Sequence, residues 1–191
     1  SIINKNTDET RDLLTEFTTE HNTNAEALIF AGEIWKQLSK QVGFFSFFRT
    51  IEKGLEAHVK AFELSPNNDY YRSLAGSSYT QIDSDNLPKQ RALLTGYKTP
   101  NSGYHLIALM DMAQNDRDHE LMIELAEQAL NSSTSNTLVL ERAAQAFWTA
   151  DNVERAQNTF LKACLLPAPK DIYRHTWQHS CYLAGYLALN E

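Results

Sequence analysis

The chain has 191 residues, of which 42% are hydrophobic, so it can bury a core and its composition argues against disorder. The formal net charge is −7 and the 17 Lys and Arg residues form no run, which disfavours nucleic acid as a partner. No stretch approaches the roughly 18 consecutive apolar residues of a membrane-spanning helix, so no membrane span is predicted.

Residues 7–20 predict a leading helix, and residues 25–66 predict the first of several helix pairs. The first helix of this pair carries small or apolar residues at the spacing of one helical face: Leu28, Ala31, Gly32 and Trp35. Residues 54–66 predict the second helix. Pro66 ends it, because proline cannot continue a helix.

The link inside this first pair is unusually long and rich in phenylalanine. Trp35 and Gly54 are 19 positions apart (54 − 35), about ten more than the equivalent residues of the last pair. The extra residues include Phe44, Phe45, Phe47 and Phe48. One interpretation is that these side chains contact a partner protein or a second copy of the chain in a homodimer. The alternative is that the insert lengthens both helices and its Phe side chains pack in the core. Because burying a Phe stabilises by about 1.5–3 kcal/mol, we expect most of the four in the core and hypothesise that at least one contributes to a dimer contact.

Residues 69–100 and 103–134 predict the second and third helix pairs. Pro88 stands where a small residue is expected in the second pair, which predicts a short or tilted helix there. The third pair has regular faces, composed of Leu106, Leu109, Met110 and Ala113 in its first helix and Met122, Ala126 and Ala129 in its second.

Residues 137–169 predict the fourth pair, and residues 170–190 predict a terminal helix that caps it. The apolar face of the fourth pair consists of Leu140, Ala143, Ala144 and Phe147, followed after a turn by Ala156, Phe160 and Ala163. Small residues at these positions let two helices approach closely, while the aromatic rings fill the gaps beside them.

This pattern resembles the tetratricopeptide repeat (TPR), which places small and aromatic residues at these positions with a period of 34 residues. Pro66 and Pro100 show the same spacing (100 − 66). The resemblance implies an all-α fold: one domain over residues 1–191, in which about four TPR-like repeats form an α-α superhelix between flanking N- and C-terminal helices.

The resemblance also implies a concave groove, lined by the first helix of each pair, that binds an extended peptide or a helix. A constant offset from the packing faces selects candidate groove residues: Tyr70, Gln81, Tyr104, Asp111, Glu141, Gln145, Trp148, His175 and His179. Aromatic rings provide contact area and amides hydrogen-bond a peptide backbone. The acids favour a neutral or basic segment, bound less tightly as salt rises. Members of the family that bind chaperones hold the C-terminal carboxylate of the chaperone with a clamp of Lys, Arg and Asn on this face. Here the predicted groove offers only Lys36 as a basic residue, so we expect no binding of a chaperone tail.

Evidence for catalysis or a cofactor is weak. His175 and His179 lie four positions apart, as two metal ligands on one helix do, but no third ligand and no zinc-protease glutamate accompanies them. Neither a nucleophile motif around a serine nor a Gly-rich phosphate loop occurs. We therefore predict no enzyme activity, no metal and no cofactor. Cys164 and Cys181 fit no metal motif or disulfide framework; we predict buried thiols, with a pairing of the two as the alternative.

The leading functional prediction is a protein–protein interaction module, a scaffold or adaptor. Two alternatives stay open: a regulatory domain that senses a peptide and controls an output domain elsewhere, and a substrate-recruiting accessory domain of a larger enzyme. The chain has no initiator Met and no signal peptide, which fits either a processed protein or a fragment. The compartment is not predicted, although cytoplasm is slightly favoured.

Overall fold

The computed structural model describes residues 7–82, 87–94, 96–97, 99, 102–132, 136–168 and 174–189. Every regular element within these residues is an α-helix, which confirms the all-α class. None of the described helices combines the length and the apolar character needed to cross a membrane. The chain divides into two compact units, Ser1–Tyr97 and Lys98–Glu191, which are described separately.

The first unit contains five described helices, of which the first spans the residues predicted for the leading helix. In chain order they are α1 (Thr7–Glu20), α2 (Ala25–Ser39), α3 (Phe44–Leu64), α4 (Asp69–Ile82) and α5 (Leu87–Leu94). The side chain of Asn24 caps α2 by accepting a hydrogen bond from the Ala27 amide at 3.1 Å. Helix α5, which contains Pro88, has only 8 residues, as the prediction of a short helix requires.

The Phe-rich insert lengthens the second helix of its pair. Helix α3 has 21 residues and begins at Phe44. Of the four Phe side chains, Phe47 is half-buried and Phe48 is 61% exposed, so Phe48 does not follow the expectation of core packing. The side chains of Phe44 and Phe45 lie outside the described part of the chain. The dimer contact stays a prediction.

Helices α2 and α3 pack with their backbones almost touching, and two glycines make this possible. A Cβ atom on Gly32 would lie 2.4 Å from Cδ2 of His58 and 2.9 Å from the carbonyl oxygen of Gly54. A Cβ atom on Gly54 would lie 2.8 Å from the carbonyl oxygen of Gly32. Any larger side chain at either position would have to push the helices apart.

The second unit contains five described helices, with α8 in the middle of the packing. They are α6 (Gly103–Asp116), α7 (His119–Ser132), α8 (Thr137–Thr149), α9 (Val153–Leu165) and α10 (Arg174–Ala188). Helix α8 packs against each of the other four. The apolar faces predicted for the third and fourth pairs are buried except for Leu109, which is half-buried. Burial of these faces follows from their helical spacing.

The helix ends of this unit recur with a spacing of 34 residues. Ser102 and Asn136 (136 − 102) cap α6 and α8, because the side-chain oxygen of each accepts backbone hydrogen bonds. Arg117 and Asp151 (151 − 117) both adopt the left-handed conformation, with φ of 57° and 58°. The predicted period therefore appears in the backbone geometry as well as in the sequence.

The prediction of buried thiols at Cys164 and Cys181 is wrong, because the two residues form a disulfide. Helices α9 and α10 pack together and bring the two Cα atoms to 4.8 Å, within the range that a disulfide requires. The indole nitrogen of Trp177 donates to the carbonyl oxygens of Cys164 and Leu166 at 2.9 and 3.1 Å. The beginning of α10 is thus held against the end of α9.

Candidate functional site

The first helix of each regular pair in the second unit contributes to one polar surface. Helices α6 and α10 lie on either side of α8, and side chains from all three helices join in a chain of hydrogen bonds and ion pairs. We call this set the polar network, and it consists of Asp111 from α6, Glu141, Arg142 and Gln145 from α8, and His179 from α10.

Arg142 connects α8 to α6. Its Nη2 atom forms an ion pair with Oδ1 of Asp111, and its Nη1 atom donates to Oε1 of Gln145 at 2.8 Å. The planar guanidinium can serve both acceptors at once because its donors point in fixed directions. Asp111 is buried, and pairing with Arg142 offsets the cost of removing its carboxylate from water.

Glu141 connects α8 to α10. One of its oxygens, Oε1, accepts from Nε2 of Gln145 and lies 3.1 Å from Nδ1 of His179. Because a carboxylate only accepts, the ring proton of His179 that faces it is on Nδ1. Glu141 and Gln145 are one helical turn apart on the same face, which lets the amide join the two halves of the network.

Two aromatic residues of the predicted groove flank the network at opposite ends of the helices. Tyr104, at the start of α6, accepts a hydrogen bond at its hydroxyl from Nδ2 of Asn136 at 3.4 Å. Trp148, near the end of α8, is 37% exposed, and its ring meets the Phe160 ring edge-on with 6.3 Å between centroids. Trp148 therefore rests on the core while presenting part of its indole to solvent.

Four of the residues selected by the offset, Asp111, Glu141, Gln145 and His179, are thus brought together, whereas Arg142, which contacts two of them, was not among the predicted residues. Nothing in the spacing selects this residue, since it lies beside the predicted stripe and reaches it only through its long side chain. With Arg142 included, the network carries a cation between its two acids, and the surface is less acidic than the sequence suggested.

The remaining groove residues are not brought to the polar network. Tyr70 belongs to the first unit, where its ring centroid lies 5.7 Å from that of Tyr71. The side chains of Gln81 and His175 lie outside the described residues, so the His175–His179 pair is not tested. Among the residues that the structure describes, no group of three His, Cys, Asp or Glu side chains is arranged to hold a metal ion.

A second polar group lies inside the first unit and has the residue types of a hydrolase triad. His58 lies with Nδ1 3.2 Å from Oγ of Ser78 and Nε2 3.3 Å from Oε1 of Glu33. Both His58 and Ser78 are fully buried, so a substrate cannot reach the serine. The group instead links α2, α3 and α4, with the half-buried Glu33 at its edge.

The pKa values of His58 and Glu33 are both shifted. Burial lowers the pKa of His58 and outweighs the opposing effect of Glu33, so the neutral imidazole is favoured. Burial alone would raise the pKa of Glu33, but the hydrogen bond with His58 and the charge of Lys36 lower that pKa to about 2. A fall in pH should therefore change the stability of the first unit through both His58 and Glu33.

Comparison with known proteins does not assign the chain to a family. No protein-family model matches it. A search of curated proteins likewise finds no match.

Proposed function

We propose that this chain is a TPR-like protein-interaction module that binds a peptide or a helix across α6, α8 and α10. The observation that carries the proposal is the polar network, which joins side chains of three helices on one surface. The 34-residue recurrence of the caps and of the left-handed residues supports the TPR-like arrangement, of which a superhelix with a concave binding face is the expected form.

The network favours binding because its side chains are already held in place. Fixing a long side chain at an interface costs about 0.5–1.5 kcal/mol, and Arg142, Gln145 and Glu141 are restrained by one another before a ligand arrives. Guanidinium, amide and carboxylate groups also have the donors and acceptors that pair with a peptide backbone. An ordered polar surface of this kind suits recognition, and the proposal includes no catalytic step.

The pairing of charges narrows the choice of ligand. Arg142 and His179 lie against the two acids, so a strongly basic peptide would have to compete with contacts that already exist. A neutral segment with backbone groups free to hydrogen-bond and one apolar side chain fits this surface best. Trp148 would receive the apolar side chain, since partly exposed tryptophans dominate many binding interfaces.

The test begins with affinity capture by the intact chain from a lysate of its source, followed by mapping of the bound partner to a short peptide. Affinity for that peptide is then measured by fluorescence anisotropy. We expect Trp148→Ala to weaken binding about tenfold or more, as loss of a central aromatic contact does. Leu121→Ala is the matched control, because Leu121 is 36% exposed on α7, outside the three-helix surface.

Glu141→Gln tests the network itself, because it keeps the shape of the side chain and removes its charge. We expect severalfold weaker binding, since the acceptor that Gln145 and His179 share loses its charge. Circular dichroism of each variant controls for folding. Unchanged affinity in both Trp148→Ala and Glu141→Gln would show that the partner binds elsewhere.

A further inference from the structure

The first unit contains a cavity of about 450 Å³ between α1 and α3, and no part of the proposed function uses it. Trp35 of α2 forms its floor and is only 1% exposed. Cavities that bind small molecules have volumes of about 300–1,000 Å³, so this one is large enough for a small organic ligand. It lies wholly within the first unit.

Positive charge predominates in this cavity, although the chain as a whole is acidic. Three cationic side chains line it, Arg11, Arg49 and Lys53, together with the single carboxylate of Asp12. Arg11 already pairs with Asp8 at 2.8 Å. Among the described residues, no carboxylate lies within ion-pairing distance of Arg49 or Lys53. In a chain of net charge −7, two cations that face one cavity and have no ion-pair partner within the described part of the chain call for an explanation.

Neutral groups hold Lys53 in the cavity. Its ammonium nitrogen lies 4.9 Å from the centroid of the Trp35 ring and donates to Oγ1 of Thr15 at 3.2 Å. A cation–π contact and a hydroxyl orient the charge without neutralising it. Thr50, which is 2% exposed, adds a second hydroxyl to the lining.

The helix extension noted in the sequence builds this cavity. Arg49 and Lys53 are four positions apart, and thus on one face, near the start of the 21-residue α3. The regular second helices α7 and α9 have 14 and 13 residues. Without the extra turns, the wall that carries Arg49 would be missing. The insert therefore brings these cations opposite α1.

We propose that this cavity binds a small organic oxyanion, a ligand bearing carboxylate or phosphate groups. The Thr15 hydroxyl donates to the carbonyl oxygen of Arg11 at 2.8 Å, so its part is to hold Lys53 in place. Arg49 and Lys53 supply the charge, and Thr50 supplies a hydroxyl group. Charge-assisted hydrogen bonds of this kind are roughly twice as strong as neutral ones. The site is independent of the peptide surface of the second unit, so either proposal can fail without the other.

The test is a titration of the ¹⁵N-labelled full chain, followed by NMR, with two probes: inorganic phosphate and citrate. We expect shifts concentrated at Thr15, Trp35, Thr50 and Lys53, and tighter binding by whichever probe carries the preferred group. Lys53→Gln and Arg49→Gln should each weaken binding about fivefold or more, since each removes one charge-assisted contact. Lys40→Gln, which removes an exposed charge at the end of α2, should leave the affinity within about twofold.

Preference for phosphate or for citrate would identify the anionic group and support the site. The proposal is overturned if neither probe shifts these residues at concentrations up to about 20 mM. It is also overturned if Lys40→Gln weakens binding as much as Lys53→Gln, because the ions would then only screen surface charge. Arg49 is exposed, so Arg49→Gln keeps the test valid if Lys53→Gln fails to fold.

Discussion

The two units of the chain share a plan of paired helices but hold their polar groups in different ways. In the first unit, His58 and Ser78 meet in the core beside the half-buried Glu33, and glycines bring α2 and α3 into backbone contact. In the second unit, the polar network connects the buried carboxylates of Asp111 and Glu141 to partly exposed side chains, and a disulfide joins the last two helices. The comparison shows that similar apolar spacing can lead to units held together by quite different interactions.

The two units differ most where α2 crosses α3 in the first unit, and Gly32→Ala should disrupt this close contact. The added methyl group would lie 2.4 Å from the buried His58 ring and 2.9 Å from the Gly54 carbonyl oxygen, and neither has room to move. We expect the free energy of unfolding of the first unit to fall by about 3 kcal/mol or more. Hydrogen exchange of the full chain, resolved by unit, measures this loss.

Gly185→Ala is the matched control in the second unit. A Cβ atom there has no neighbour within 4 Å, so the change should stabilise α10 by about 0.5–1 kcal/mol through helix propensity alone. If Gly32→Ala proved as harmless as Gly185→Ala, the close approach of α2 and α3 would be incorrect.

The disulfide should matter only to the second unit. Replacing Cys164 and Cys181 by Ser opens a loop of 17 residues, and we expect that unit to lose about 2–3 kcal/mol of unfolding free energy. Urea unfolding, with hydrogen exchange to separate the units, provides the measurement. A reducing agent should destabilise the natural chain by the same amount and leave the double variant unchanged. An equal loss in the first unit, which has no cysteine, would contradict this assignment.

Acidification should weaken the first unit through its buried polar group. The pKa of His58 in the folded chain lies below its ordinary value of 6.5, so the unfolded chain binds more protons as pH falls. Stability is therefore lost progressively as pH falls below about 6.5. The pKa of Glu33, about 2 instead of 4.5, adds a further loss below pH 4.5.

Glu33→Gln separates these two contributions. The variant should keep the loss between pH 7 and pH 5 and lack the additional loss below pH 4.5, because Gln does not titrate. NMR of the His58 ring monitors its protonation directly. A His58 that becomes protonated at or above pH 6.5 would remove the physical basis of the expected acid sensitivity.

Helical spacing was sufficient to predict the all-α fold and the buried faces of the second unit. Ala143 and Phe147 on α8, and Phe160 on α9, are buried because three-and-four spacing places them on the apolar face of their own helix, and this is a local property of the sequence. A constant offset from those faces also found Glu141 and His179, which contact each other from different helices.

The disulfide, the role of Arg142 and the cavity could not be predicted, because each depends on distances between helices. The disulfide requires two Cα atoms within a few ångströms of each other, and the spacing of Cys164 and Cys181 contains no such information. Arg142 joins the network through the reach of its side chain. The cavity beside Trp35 exists only where α1 faces α3, so its cations could not be grouped from their positions in the chain.

The left-handed residues Arg117 and Asp151 have one more consequence for how such a chain can change in length. Each is followed by a residue whose amide donates to the preceding helix: Asp118 to Ala113 at 2.9 Å, and Asn152 to Phe147 at 2.8 Å. Since the backbone is in the same state at both junctions, a segment of 34 residues can be removed or duplicated there with matching ends. An insertion or deletion of another length at Arg117 would place the left-handed residue next to a backbone in another conformation, so we expect such changes to be tolerated less well.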